Sequence, residues 1–156
     1  MMYKSHLVFG IFIGIVYLLL FGVSGNKYLF LSFVGLAALF PDIDHENSKI
    51  GNKVKGLSFL IRNVFGHRGF FHSIFPAVIL YFVFVYIFNL KLIGLGIAVG
   101  YISHLMSDAL TVTGVNFLHP FKAKVSGFIR TGSILEYIFF FVFLVLDVWK
   151  VYGFVF

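Results

Sequence analysis

The sequence predicts an all-α fold: a polytopic membrane bundle of about five membrane-embedded helices with one amphipathic helix lying on the membrane surface, all in one domain, residues 1–156. Three observations predict it. Of the 156 residues, 60% are hydrophobic and 12% are charged, against roughly 25% charged in a soluble domain. The apolar residues fall in runs of helical length separated by short polar breaks. In one stretch, residues 48–65, the apolar positions recur at helical spacing opposite Lys53, Lys55, Arg62 and Asn63, the pattern of a helix in the interfacial plane.

Taken in order, Leu7 to Val23 is a first apolar run of 17 residues, at the short end of the about 17–25 needed to span. His6 stands at its mouth. Gly22-Val23-Ser24 has the small residues of a weak leader cleavage site, but Lys4 is its whole basic leader, so the segment is read as retained. After a turn at 24–27, Tyr28 to Phe40 supplies 13 apolar or small residues, about 20 Å of helix and too short to cross. It ends in Pro41-Asp42-Ile43-Asp44-His45-Glu46, which holds three of the chain's six carboxylates. A third segment, Phe70 to Phe88, carries His72 near its start. The fourth, about Ile93 to Thr113, places Gly96, Gly100, Ser103, His104, Ser107, Asp108 and Thr111 on one arc about 140° wide. Residues 114–132 read as a loop, and Ser133 to Phe154 as the last helix, with Glu136 near its start.

Orientation follows from the basic residues. With five alternating spans, the face bearing residues 1–6, 41–69 and 114–132 carries nine Lys and Arg (Lys4, Lys49, Lys53, Lys55, Arg62, Arg68, Lys122, Lys124, Arg130) and the other carries three (Lys27, Lys91, Lys150). The first face is therefore predicted to be cytoplasmic. The same alternation brings His6, Asp42, Asp44, His45, His67, His72, Asp108, His119 and Glu136 to that face, with His104 about one turn deeper.

Carboxylates and imidazoles gathered at one depth point to a bound cation. The chain has no cysteine, so the ligands must be nitrogen and oxygen, a set that suits zinc first and manganese or iron otherwise, as one or two ions. His104 and Asp108, four apart on a helix, project to the same side. The candidate ligands are His6, Asp42, Asp44, His45, His67, His72, His104, Asp108 and Glu136. Arg68 and Asp44 are the candidate catalytic residues, Arg68 because a guanidinium can hold a phosphate bidentately. His119 is expected to support its loop, Glu46 to be solvated, and Asp147 to pair with Lys150. The bland alternative for the acids and histidines is a buried polar network that fixes helix packing.

The set Ser5-His6, Phe40-Pro41-Asp42-Ile43-Asp44-His45, Phe65-Gly66-His67-Arg68-Gly69-Phe70-Phe71-His72-Ser73, Gly100-Tyr101-Ile102-Ser103-His104-Leu105-Met106-Ser107-Asp108 and Glu136 resembles the YdjM-like family of predicted membrane-bound metal-dependent hydrolases. The resemblance implies a helical inner-membrane protein with a metal centre at the nine candidate ligands. Phe71 stands where the family often has threonine, and His119-Pro120 where tryptophan-proline occurs. More faintly, the His-x-x-x-Asp element is similar to that of zinc-dependent phospholipase C and related nucleases. The expected function is hydrolysis of a phosphoester of a lipid or lipid-linked substrate at the cytoplasmic face. Lys53 and Lys55 would draw anionic head groups, and no nucleic-acid surface is expected because no basic run is interleaved with aromatics. The competing expectation is a divalent-metal transporter or sensor built on the same intramembrane ligands.

Overall fold

The computed structural model describes residues 1–44, 69–121 and 124–155, without the side chains of residues 43, 44, 154 and 155. Among these are five α-helices: α1 (Tyr3–Phe21), α2 (Lys27–Ala37), α3 (Ile74–Phe82), α4 (Lys91–Ala109) and α5 (Ile134–Val155). Of these, α1 and α4 are long and apolar enough to cross a membrane, fewer than the five membrane-embedded helices expected. The stretch expected to form the surface helix, residues 48–65, lies outside the described residues.

Each segment departs from its expected bounds for a local reason. Helix α1 begins four residues earlier than its apolar run, at Tyr3, so His6 lies inside its first turns instead of at a mouth. Asn26 caps α2 by accepting from the Tyr28 and Leu29 amides at 2.9 and 3.2 Å, satisfying two of the four donors a helix start leaves open. Only 11 residues long, α2 passes into a 3-10 turn, Phe40–Asp44. The third segment is shorter than predicted: Phe70–His72 is a separate 3-10 turn, Ser73 is extended, and α3 starts at Ile74 with Pro76 in its first turn, where a missing amide costs nothing. A π-helical stretch, Val83–Ile87, continues it. The loop of residues 114–132 contains a two-stranded antiparallel ribbon, β1 (Val115–Asn116) with β2 (Lys124–Val125), tied to the end of α4 by Ile129 donating to the Leu110 carbonyl and Gly127 to that of Thr111.

Side-chain contacts give the helix directions. Phe9 meets Phe139 and Phe143, and Phe12 meets Phe143, at centroid distances of 4.8–5.4 Å, so α1 and α5 run parallel. Phe30, Val34 and Ala38 of the α2 segment meet Gly96, Gly100 and His104 in turn, so α2 and α4 run parallel. Gly10 of α1 faces Ser103 while His6 faces Ser107, so α1 is antiparallel to α4. One end of the bundle thus collects the starts of α1, α3 and α5 and the ends of α2 and α4.

Small residues set how closely this end closes. Gly96, Gly100, Ser103, His104, Ser107 and Asp108 are buried, as is Thr111, so the predicted polar arc is the face of α4 turned into the protein. At Gly100 an added Cβ would lie 2.1 Å from the Val34 carbonyl oxygen, and at Gly10 it would lie 2.6 Å from the Ala38 Cβ. Backbones approaching this closely need glycine, the usual device where lipid provides no hydrophobic force between helices.

Asp147 and Lys150 are not paired: among the described residues no ion pair joins them, Asp147 Oδ1 is buried with no hydrogen-bond partner, and Lys150 Nζ lies 4.8 Å from the Trp149 ring centroid. A lysine near a helix end gains more by laying its stem along an interfacial aromatic than by reaching back into the bundle.

Gly100→Ala should destabilise the detergent-solubilised protein by about 1–3 kcal/mol through overpacking, read as a lower thermal midpoint. Gly153→Ala, where an added Cβ meets nothing within 4 Å, should leave that midpoint unchanged.

Candidate metal centre

Four structural elements deliver the candidate ligands to the collected end. The start of α1 supplies His6, the 3-10 turn after α2 supplies Asp42, the turn before α3 supplies His72, and the last turns of α4 supply His104 and Asp108. His6 and His104 are wholly buried, His72 and Asp108 are 2% and 1% exposed, and Asp42 is 19% exposed. Burial this deep is costly for ionisable groups unless charge is matched.

Hydrogen bonds decide which imidazole nitrogen faces the centre. The Ser107 hydroxyl donates to the His104 carbonyl at 2.8 Å, so its oxygen must accept in its 2.7 Å contact with His6 Nδ1; His6 carries its proton there. His104 Nδ1 lies 2.8 Å from the Ala38 carbonyl oxygen, which accepts only, so His104 is likewise protonated at Nδ1. With Nδ1 so held, each ring in its neutral form presents the Nε2 lone pair to the centre, as metal-binding histidines do when the other nitrogen is held. Among the described residues neither Nε2 has a hydrogen-bond partner. The two rings stack at 3.9 Å with 16° between planes, an arrangement two imidazolium ions would resist.

Around these atoms the spacings are those of groups facing one another without a proton between them. Asp108 Oδ2 lies 3.6 Å from His104 Nε2 and 3.7 Å from His72 Nε2. Asp42 Oδ1 lies 3.9 Å from His72 Nε2 and 4.0 Å from His104 Nε2. Asp108 Oδ1 lies 3.5 Å from His6 Nε2 and accepts from the Met1 amino group at 2.8 Å. Apart from the Met1 contact these are too long for hydrogen bonds. They match two donors sharing a cation, since ligands about 2.1 Å from one zinc ion stand at most about 4.2 Å apart. Two overlapping triads result, His6/His104/Asp108 and Asp42/His72/His104, joined through His104. One imidazole Nε2 has one lone pair and can serve only one ion, so the triads compete for His104.

Glu136 belongs to neither triad. Its Oε1 accepts the Met2 amide at 2.5 Å and its Oε2 the Gly132 amide at 2.6 Å, so the carboxylate ties the start of α1 to the turn before α5. His119 also lies outside both triads and its amide donates to the Asn116 carbonyl within the loop. His45, His67 and Arg68 lie outside the described residues, as does the side chain of Asp44. Three groups were not foreseen from the sequence as parts of the site: Ser107, visible only as a small polar residue on the α4 arc, the Ala38 carbonyl, which no sequence signal marks, and the Met1 amino group against Asp108.

The chain has relatives among known proteins. It is 40% identical over 103 residues to the uncharacterized protein YvsG of Bacillus subtilis, covering 65% of this chain and 64% of that one. It is 38% identical over 94 residues to the inner membrane protein YdjM of Escherichia coli, covering 54% of this chain and 46% of that one. The matched segments thus span about half to two thirds of the length of these relatives. No solved structure matches. The profile of the family of YdjM inner membrane proteins matches residues 1–155, and the chain, an inner-membrane protein with a buried His/Asp cluster, belongs to that family.

Proposed function

We propose that the protein is a metal-dependent hydrolase that cleaves a phosphoester of a lipid or lipid-linked substrate at the cytoplasmic face of the membrane. The observation that carries this reading is the pair of buried Nε2 atoms of His6 and His104, without a hydrogen-bond partner among the described residues, with Nδ1 held on each ring and carboxylates facing them. His72, His104, Asp42 and Asp108 would hold one divalent cation, zinc first by donor type, with His6 beside Asp108 Oδ1. A cation held by such a set supplies an acidified water and polarises a phosphoryl oxygen.

The remaining roles fall to the chain. Asp108 would offer Oδ2 to the cation beside His72 and His104, and Ser107 and the Ala38 carbonyl keep the rings oriented. Asp44, at the end of the Phe40–Asp44 turn, would take the proton of the attacking water and return it to the leaving oxygen. Arg68, four residues ahead of His72 in the sequence, would grip the phosphate oxygens bidentately. In the net reaction water oxygen bonds to phosphorus, the ester P–O bond breaks, and the released alkoxide takes the proton. The cytoplasmic placement is supported by the nine-to-three division of Lys and Arg.

Elemental analysis of protein purified in detergent tests the centre first. Wild type should carry stoichiometric metal, while His104→Ala and Asp108→Ala should lose it and His119→Ala should keep it. Metal-loaded protein should release product from a phospholipid or phosphodiester. Loaded protein that cleaves neither, and instead carries metal into liposomes in an Asp42-dependent way, would replace the hydrolase with the transporter reading.

Ser107→Ala removes the acceptor that orients His6 and should weaken metal binding about 10–100-fold, measured by competition with a chromogenic chelator. The variant should retain wild-type elution on size exclusion, because among the described residues the hydroxyl's hydrogen bonds go to its own helix and to His6.

A further inference from the structure

We propose that a groove between α2, α3 and α4 receives a hydrocarbon chain of a phosphate-bearing lipid, with the phosphate of that lipid at the His/Asp cluster. The proposal rests on the cluster being a phosphoester site and names how its substrate is held.

Phe33 and Ala37 of α2, Leu80 and Phe84 of the α3 segment, and Ile97 and Tyr101 of α4 line a cavity of about 320 Å³, within the range of ligand sites, about 300–1,000 Å³. Among the described residues no charged side chain lines it. Of the three helices that form it, α4 carries His104 and Asp108, and α2 and α3 adjoin the turns that carry Asp42 and His72. Tyr101 precedes His104 by three residues, Ala37 adjoins the Ala38 carbonyl that holds His104, and Leu80 lies two turns beyond His72. The groove therefore begins about one helical turn from the cluster. From Tyr101 to Ile97, and from Ala37 to Phe33, it runs about 6 Å further from the cluster.

Its near end is built rigidly. Tyr101 is fully buried and its hydroxyl donates to the Phe71 carbonyl at 2.5 Å, joining the groove wall to the turn that presents His72. The Phe40 ring lies 6.3 Å from that of Tyr101, and Phe40 is two residues ahead of Asp42. The rim opens sideways, where Leu36 is 64% and Phe40 37% exposed. In an inner-membrane protein a chain can enter there from the surrounding lipid without leaving hydrocarbon. An anion-bearing head at the polar end and an apolar slot beside it together have the pattern of an amphiphile, which a chainless phosphoester would leave half empty.

The test uses full-length protein in micelles of the phosphate-free detergent dodecyl maltoside containing trace phosphatidylglycerol with a diazirine in its acyl chain. After illumination, adducts should map to the Leu80–Phe84 and Ile97–Tyr101 peptides. Excess phosphatidylglycerol should suppress them, and excess diacylglycerol with the same chains should not. Leu80→Trp and Ile97→Trp, which fill the slot, should each lower groove labelling about tenfold, equivalent to about 1.4 kcal/mol of lost chain binding. Labelling at the outward Val145, 65% exposed, should not change, which also reports that the variants are folded. Equal suppression by both competitors, or groove and Val145 labelling that respond alike, overturns the proposal in favour of ordinary boundary lipid. The two readings fail separately. Selective groove labelling in loaded protein that cleaves no phospholipid keeps the groove and sinks the hydrolase. Unselective labelling in protein that cleaves soluble phosphodiesters does the reverse.

Discussion

The structure depends on the burial of Asp108. A carboxylate 1% exposed inside a chain that is 60% hydrophobic is tolerable only where positive charge or strong donors surround it. The Met1 amino group donates to it, while the three imidazole nitrogens within 3.7 Å of its oxygens face it at spacings a shared cation would bridge. Each of these groups must be carried to one point, and the antiparallel succession of helices does so by collecting alternate helix starts and ends at one end of the bundle.

Close packing and site geometry are the same feature seen from two sides. His104 can reach the Ala38 carbonyl because α2 lies against α4 at backbone distance, and that distance is set by Gly100 beside Val34. Gly10, against Ala38 and Ser103, brings α1 close enough for His6 to reach Ser107. Glu136 adds a tie of another kind. By accepting amides from Met2 and Gly132 it joins α1 and the start of α5 around the cluster without contributing a ligand atom to either triad. Replacing any of these small residues would move a ligand before it disturbed the ligand itself.

The short elements serve the same end. A full helix through Phe70–Ser73 would turn with the axis of α3, whereas the 3-10 turn and extended Ser73 fold His72 back toward Asp42 and Asp108. The 11-residue α2 stops short of a span, so Asp42 is delivered beside His104. The same shortness leaves the apolar groove open at its rim next to the polar centre, so a single packing arrangement creates both a site for charge and a slot for hydrocarbon.

Composition and periodicity by themselves determined that this is a helical membrane protein, that α4 turns its small polar arc inward, and that His6, Asp42, His72 and Asp108 belong to one end of the bundle with His104 about one turn deeper. Those are properties of one helix at a time: length, spacing and the number of residues between turns. Tertiary structure alone decided which candidates meet. Glu136 has the same depth and chemistry as Asp108, yet it faces backbone amides, because its orientation depends on how α5 rotates against α1. Ser107 and the Ala38 carbonyl, which choose the imidazole tautomers, carry no sequence signature because any small polar residue or any backbone carbonyl would look alike. Asp147 and Lys150 had the spacing of a pair and did not form one, because spacing permits a contact while the surroundings of each side chain decide whether it is made.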